Sequence, residues 1–357
     1  MKLKFNSIAE QVAVALRKEI RGKTWTHSLP GERLLAARFQ VSRKTLRRAL
    51  AELRGEGLLT TRHSDASFIR RSQSPAPLTK RIALLLPTPL ESARPYTVLW
   101  VSRLMALLQD RGLYLEVFHG TKYFGQHAAR SLSRLTSTYP ARCWILARSN
   151  RPLQEWFANA GLPTLVSGST HAGVSLPSVD IDHRALCRHA ATVLLRNGHR
   201  RVAIFLDRTG QAGDAESEQG FMEGVAQFDA LATVASRKTG SEQSAAITIR
   251  QARTLLAMAA PPTGWLLSNS NSYLTVLSYL GSIGLSVPRD ISLVCRDEEP
   301  FLQYLHPTPI RYAASPRKFA ITLNQALKRI AGADTHPFSL RIMPDFVSGG
   351  SVGRCMK

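Results

Sequence analysis

Between Leu29 and Leu59 the chain reads LPGERLLAARFQVSRKTLRRALAELRGEGLL, and this stretch allows few local folds. Within Ser42–Gly55, the residues Leu46, Ala49, Leu50 and Leu53 stand at i, i+3, i+4 and i+7, which is one face of an α-helix. The opposite face carries Arg43, Lys44, Arg47, Arg48 and Arg54, and Ser42 sits where an N-cap oxygen satisfies the first free backbone N–H groups. A shorter helix from Gly31, with Glu32 at its positive end and Leu34, Leu35 and Phe39 facing inward, precedes it, and Gln40-Val41 is the turn. Two helices joined by so tight a turn, the second one basic, fit the major groove of B-DNA, where arginine is rewarded at guanine O6 and N7.

The charge distribution points the same way. Residues 1–74 hold 16 Lys and Arg against six Asp and Glu, so +10 of the formal +22 lies in about a fifth of the chain. Upstream, Ile8, Val12, Leu16 and Ile20 recur every four residues and predict a helix over Ser7–Arg21. Downstream, LLTTRHSDASFIRR places β-prone residues on either side of the polar His63–Ala66, which predicts a hairpin.

These elements together resemble the GntR-type winged helix-turn-helix over residues 5–71, whose pattern runs near LPSEREL, VSR-T and EGL. The resemblance implies base or phosphate contact from Arg33, from Ser42, Arg43, Thr45 and Arg47, and from the wing tip around His63, Ser64 and Asp65; Lys44 joins the first turn of the same basic face. Two departures are visible. Gly31 stands where serine is usual, and the wing reads HSDASF in place of a G-x-G-T-F turn.

At 357 residues and 44% hydrophobic content the chain exceeds one ordinary domain. SQSPAPLT, polar with two prolines, forms a linker at 72–79. From Lys80 the texture changes to apolar strands alternating with amphipathic helices: RIALLL, a helix around Val98–Arg111, LYLEVF, a helix around Ala128–Thr138, CWILA, a helix over Leu153–Ala160, and PTLVSG. The rhythm resumes with RVAIFL, helices over Glu218–Gln227 and Ser244–Met258, GWLLS, a helix over Ser272–Gly281, and ISLVC. Continuous apolar strands between helices predict an α/β fold with parallel sheets covered on both faces. About 280 residues of this pattern predict two lobes with a cleft between them, one from about 80–196 plus 312–331 and the other from about 197–311 plus 332–357.

Three segments of this half resemble the LacI/GalR-type regulators, whose effector domain is built like a periplasmic sugar-binding protein: VDIDHRA at 179–185, RNGHRRVAIF at 196–205 and GLSVPRDISLVCRDEEPFL at 284–302. The resemblance implies effector contacts from Asp182, Asn269 and Asp297, acceptors at strand ends suited to a hydroxyl-rich ligand. The family arginine three residues before G-F falls on Ser217, and Arg296 stands where small or aromatic residues are usual. Arg296 supplies a relocated charge or is a strand-end arginine beside Glu298 and Glu299; hinge or turn hydrogen bonding is the alternative role of Asp182 and Asp297. Thr88, after the first strand, is a further cleft candidate; Trp265 reads as cleft or core.

Catalytic motifs find little support: the chain has no G-x-x-x-x-G-K-[ST], H-E-x-x-H or post-strand G-x-G-x-x-G, and no G-x-S-x-G elbow leads from a strand into a helix, GGSVG at 349–353 having only the letters. His171, His183, His189 and His199 read as surface or capping residues, and Cys143, Cys187, Cys295 and Cys355 as reduced thiols. No enzyme, cofactor or metal is expected. Without an apolar run of about eighteen residues or a signal-like start, a cytoplasmic, nucleoid-associated protein with no membrane contact is expected. The resulting expectation is a transcription regulator, a repressor, that binds palindromic double-stranded operator DNA as a homodimer and responds to a small molecule such as a sugar or related polar metabolite. Two alternatives are a GntR-type reader fused to an aminotransferase-like domain that uses pyridoxal phosphate, and a solute-binding protein.

Overall fold

A computed structural model describes residues 7–21, 29–55, 59–61, 67–69, 79–238, 244–332 and 336–355. The chain divides between Leu78 and Thr79 into two compact units. All of the expected linker except Thr79 lies outside the described residues.

In the first unit, α1 (Ile8–Arg21), α2 (Glu32–Arg38) and α3 (Arg43–Gly55) precede a two-stranded antiparallel hairpin of β1 (Leu59–Thr61) and β2 (Ser67–Ile69). The periodic face of α3 is the core: Leu46, Ala49, Leu50 and Leu53 are buried with Val12, Leu16, Leu29, Leu35 and Leu59. Leu34, expected to face inward, is exposed; Leu35 and Ala36 make the inward face of α2 instead. Gln40 adopts φ 50. With it, the Gln40 N–H reaches the Ala37 carbonyl (3.2 Å) and the Val41 N–H the Ala36 carbonyl (3.0 Å), a Schellman closure of α2 that sets the turn into α3.

In the second unit the elements run β3 (Arg81–Leu86), α4 (Pro95–Gln109), β4 (Tyr114–His119), α5 (Ala129–Thr138), β5 (Cys143–Ala147), α6 (Arg151–Ala160), β6 (Thr164–Ser167) and β7 (Ser178–Ile181). They continue with α7 (His183–Arg196), β8 (Arg201–Arg208), α8 (Ala212–Val225), β9 (Leu231–Lys238), α9 (Ser244–Leu256), β10 (Gly264–Leu267), α10 (Ser270–Ser282), β11 (Ser292–Cys295), β12 (Ile310–Ala313), α11 (Pro316–Ala331), β13 (Ser339–Ile342) and β14 (Asp345–Val347).

Two six-stranded sheets result, ordered β13-β7-β6-β5-β3-β4 and β14-β12-β11-β10-β8-β9. The first is parallel throughout; the second is parallel except for the β12–β14 pair. Alternate residues of β3 serve opposite faces, with Ile82, Leu84 and Leu86 toward α4 and α11, and Ala83 and Leu85 toward α5 and α6. Both sheets reverse strand order beside their first strand, β3 in one lobe and β8 in the other, and a crevice at strand carboxyl ends opens at such a reversal.

The chain passes between lobes at Asp182, at Ala314-Ser315 and at Met343-Pro344. The boundaries expected near 196, 311 and 331 are corrected by packing. Leu186, Ala190, Ala191 and Leu194 of α7 lie in the second lobe's core, β12 pairs with β11, and β13 pairs with β7 in the first lobe's sheet, while α11 keeps its expected place in the first lobe's core through Phe319, Ala320, Leu323 and Leu327. No strand is expected from sequence at β7, β9, β12, β13 or β14, and no helix at α11; β9 and β13, at the ends of the sheets, are polar and partly exposed. It also started α8 six residues late, since the polar first turns of that helix mask its period.

Candidate effector cleft and DNA-reading helix

A cavity of about 380 Å³ lies between the two lobes at the carboxyl ends of their strands. Arg94, Tyr96 and Arg148 come from the first lobe, Asp207, Asp214, Asn269, Arg296 and Asp297 from the second, and Asp180 and His183 from either side of the first hinge. Arg94 precedes α4, whose first turn begins at Pro95, and its guanidinium spans the cleft: Nη2 is 2.5 Å from Asp297 Oδ2 and Nε is 3.6 Å from Glu299 Oε1. Arg296 holds the other Asp297 oxygen at 3.2 Å. Burial opposes the charge on Asp297, but Arg94 and Arg296 outweigh it and hold the carboxyl at about 2.

The remaining carboxylates are engaged as well. Asp180 accepts from Ser169 Oγ (2.7 Å) and the Ile181 N–H (2.8 Å), and His183 Nε2 lies 3.7 Å away. Asp207 accepts from Asn269 Nδ2 (2.6 Å), Asp214 from the N–H and hydroxyl of Thr209, and Glu298 from Arg311 Nε (2.6 Å). Burial raises the Asp214 and Glu299 carboxyls and lowers His183, which keeps the imidazole neutral near pH 7. Tyr96 Oη, His183 Nδ1 and Ser268 Oγ are buried in the cleft wall without a hydrogen-bond partner. Such orphans are costly in a dry interior and are what a polar ligand satisfies.

Of the effector candidates read from sequence, Asn269, Arg296 and Asp297 line the cavity; Thr88, Asp182 and Ser217 do not. Thr88 sits between two prolines in a loop that has left the sheet, and it is exposed. Asp182 ends the strand and caps α7, accepting from the Ala185 N–H at 2.9 Å, so the cleft carboxylate of the V-D-I-D segment is Asp180. Ser217 is fully buried on α8 and accepts from Arg296 Nη1 at 3.0 Å: a guanidinium does stand beside position 217, delivered from the end of β11. Arg296 pairs with Asp297, while Glu298 and Glu299 turn to Arg311 and Arg94. His183, read as a surface or capping residue, is a wall of the cleft; His199 is buried; Trp265 is core. Arg94, Tyr96 and Arg148 carried no motif signal, and only its strand-end position marked Arg148; Asp180 lies in the V-D-I-D segment, whose second carboxylate, Asp182, is the one expected from sequence.

On the first unit, Ser42 Oγ accepts from the Thr45 N–H at 3.1 Å and caps α3. Arg33, Arg43, Lys44, Arg47 and Arg48 are exposed. Glu32, largely buried, takes Arg47 Nε at 2.8 Å and has Arg43 Nη2 at 3.9 Å, which holds two arginines in register along α3. His63 and Ser64 lie outside the described residues. Among the described residues no helix is long and apolar enough to cross a membrane.

Residues 8–69 match the model of the bacterial regulatory proteins of the gntR family, and residues 191–352 match that of a periplasmic binding protein-like domain. The chain is 26% identical over 284 residues to the arabinose metabolism transcriptional repressor of Geobacillus stearothermophilus, covering 76% of each chain. Among solved structures it is similar to a transcriptional regulator CelR–cellobiose complex (TM-score 0.68, 19% identity, 90% of this chain and 100% of that one). It is also similar to a LacI-family regulatory protein from Chloroflexus aggregans (TM-score 0.65, 17% identity, 77% of this chain and 99% of that one). A gntR-type winged helix-turn-helix followed by a periplasmic-binding-protein-like, ligand-binding unit makes this chain a DNA-binding transcription regulator.

Proposed function

We propose that the chain is a dimeric repressor whose operator affinity is set by a small polar metabolite bound between its lobes. The observation that carries this reading is the cleft: Arg94 joins the lobes across it through Asp297 and Glu299, and three buried polar atoms in its wall have no partner. A ligand that meets these atoms acts on both lobes, and it shifts operator affinity by its differential affinity for two lobe arrangements. The similarity to an arabinose repressor and to a cellobiose-bound regulator supports a hydroxylated ligand.

On the DNA side the reading assigns base and phosphate contact to Arg33, Ser42, Arg43, Lys44, Thr45 and Arg47, with His63 and Ser64 at the wing tip. A homodimer presents two such helices to the half-sites of a palindrome. The work is done in the cytoplasm, on the nucleoid, without catalysis or cofactor. A pyridoxal-phosphate aminotransferase-like unit has a different fold from the two lobes seen here, and a solute-binding role leaves the gntR-type reader without a task.

The test is to select operator fragments from random DNA, measure their affinity with and without candidate metabolites, and determine mass by sedimentation. A palindromic consensus, a dimer at micromolar concentration and an affinity change with a ligand are expected. A monomer on and off DNA, or a direct-repeat consensus, overturns the dimeric reading.

A further inference from the structure

The cleft contains three arginines, and two of them are spoken for. Arg94 is held by Asp297 and Glu299, and Arg296 by Asp297 and Ser217. Arg148, immediately after β5, makes no hydrogen bond or ion pair among the described residues; Asp214 acts on it electrostatically without touching it. Six carboxylates line the same cavity, but each already has a donor or a cation. The uncommitted charge in the cleft is therefore positive, although its formal balance is acidic.

Arg148 is also placed at a conformational cost. Its φ is 53, in the left-handed region that side chains other than Gly, Asn and Asp seldom adopt, and such backbone persists where the surroundings over-determine it. It lies beside the strand-order reversal of the first lobe, with Ser149 and Asn150 leading into the positive end of α6. Ser149 Oγ already accepts from Gln154 Nε2 at 2.9 Å, which leaves its own proton free to donate. Arg148 is exposed to the solvent of the cleft, where the surrounding protein and Arg94 act against its charge and Asp214 acts for it. Independently, Ser268 Oγ, 2% exposed and without a partner, lines the same cavity from the other lobe.

We propose that the cleft takes a hydroxylated metabolite bearing an oxyanion, a carboxylate or a phosphate, whose anionic group seats on the Arg148 guanidinium while its hydroxyls meet Ser268, Tyr96 and His183. A planar guanidinium forks onto either oxyanion with two parallel N–H donors, which a neutral sugar cannot match. The inference rests on the cleft being the effector site.

The test uses the full chain at constant ionic strength, with inorganic phosphate, gluconate, glucose 6-phosphate, glucose and arabinose as probes, followed by calorimetry. Arg148→Asn keeps a residue that tolerates the left-handed backbone, and Arg148→Gly relieves it altogether, so both should fold, the glycine variant with a melting temperature at or above that of the parent. The expected result is at least tenfold tighter binding of gluconate or glucose 6-phosphate than of glucose, competition by inorganic phosphate, and loss of this preference in both variants. Gluconate against glucose 6-phosphate tells a carboxylate from a phosphate. No oxyanion probe binding more tightly than the neutral sugars, or a preference that survives in Arg148→Asn, overturns the proposal. A neutral sugar that binds and moves operator affinity overturns it while the sensor reading stands; an oxyanion probe that binds through Arg148 without moving operator affinity upholds it and overturns the sensor reading.

Discussion

Arg94 Nη2 and Asp297 Oδ2 lie 2.5 Å apart across the cleft, although 203 positions separate the two residues in the chain. Asp297 is the better buried partner and also carries Arg296, so the two ends of the pair are unequal. Removing the acid leaves the buried Arg296 with no carboxylate and Arg94 with Glu299 alone, whereas removing Arg94 leaves Asp297 still paired with Arg296. Asp297→Asn should therefore destabilise the second unit by about 3 kcal/mol and Arg94→Gln by about 1 kcal/mol. Urea unfolding followed by tryptophan fluorescence checks the order; equal effects would mean that Arg296 contributes nothing.

The same pair fixes a pH window. Asp297 has its folded pKa depressed to about 2, below the value of an unfolded aspartate, so its contribution is complete at neutral pH and is lost as pH falls from about 4 toward 2. That contribution is on the order of 2 kcal/mol. Asp214 and Glu299 act with the opposite sign, since burial raises their pKa and protonation relieves them as pH falls. The stability difference between the parent and Asp297→Asn should thus be constant from pH 7 to about 5 and shrink below about 4. A difference that persists at pH 2.5, read from urea midpoints, would contradict this sign.

Helices α7 and α8 cross with almost no space between them. A Cβ on Gly220 would stand 2.0 Å from the Arg184 carbonyl oxygen, and one on Gly224 would stand 2.6 Å from that of Arg188. Since α7 begins at the first hinge and α8 carries Ser217, this crossing sets where Arg296 comes to rest. Gly220→Ala should cost at least about 3 kcal/mol, because both obstacles are backbone and overpacking cannot be relieved by a rotamer. Gly281→Ala, where nothing lies within 4 Å, is the control and should be neutral or mildly stabilising. Thermal unfolding of the two variants separates the outcomes.

How much of this was legible in the sequence depends on whether a residue's role is local. The face of α3 could be read because Leu46, Ala49, Leu50 and Leu53 repeat within one helix, and Asn269 and Asp297 because strand ends announce themselves. Asp180 and Asp182 could not be told apart: two residues apart they would share a face of a strand, but the strand stops at Ile181 and Asp182 turns to cap α7. Arg94 was invisible, since only the closure of two lobes brings it to Asp297. Polar edge strands such as β9 were missed because pairing on one side suffices to hold them.

The turn between α2 and α3 offers a local test. Gln40 occupies the left-handed position of the Schellman closure, where a side chain other than Gly or Asn is strained. Gln40→Gly should stabilise the first unit by about 0.5 kcal/mol, and Gln40→Val should destabilise it by about 1–2 kcal/mol. Hydrogen exchange at the α3 core amides of Leu46 and Leu50 reports both without depending on the second unit. Faster exchange in Gln40→Gly would show that the turn does not limit local opening.

Glu32 and Arg47 supply the last prediction, since their 2.8 Å contact ties the reading helix to the helix before it. Arg47→Ala should cost about 1–3 kcal/mol of specific binding and relax preference at one position per half-site if the guanidinium reads a base. Glu32→Gln distinguishes the two roles open to that arginine. If Glu32 aims Arg47 at a base edge, the glutamine variant loses part of the specific affinity, about 1 kcal/mol, while binding to unrelated DNA holds or rises because a negative charge has gone. If Arg47 instead meets a phosphate, Glu32→Gln strengthens binding to all sequences alike and Arg47→Ala weakens them alike, with a salt slope shallower by about one. Fluorescence anisotropy on the selected operator and on a scrambled duplex, at two salt concentrations, separates these patterns. We expect the first, because Glu32 is largely buried and holds Arg47 by its Nε, which fixes the direction of the side chain along α3.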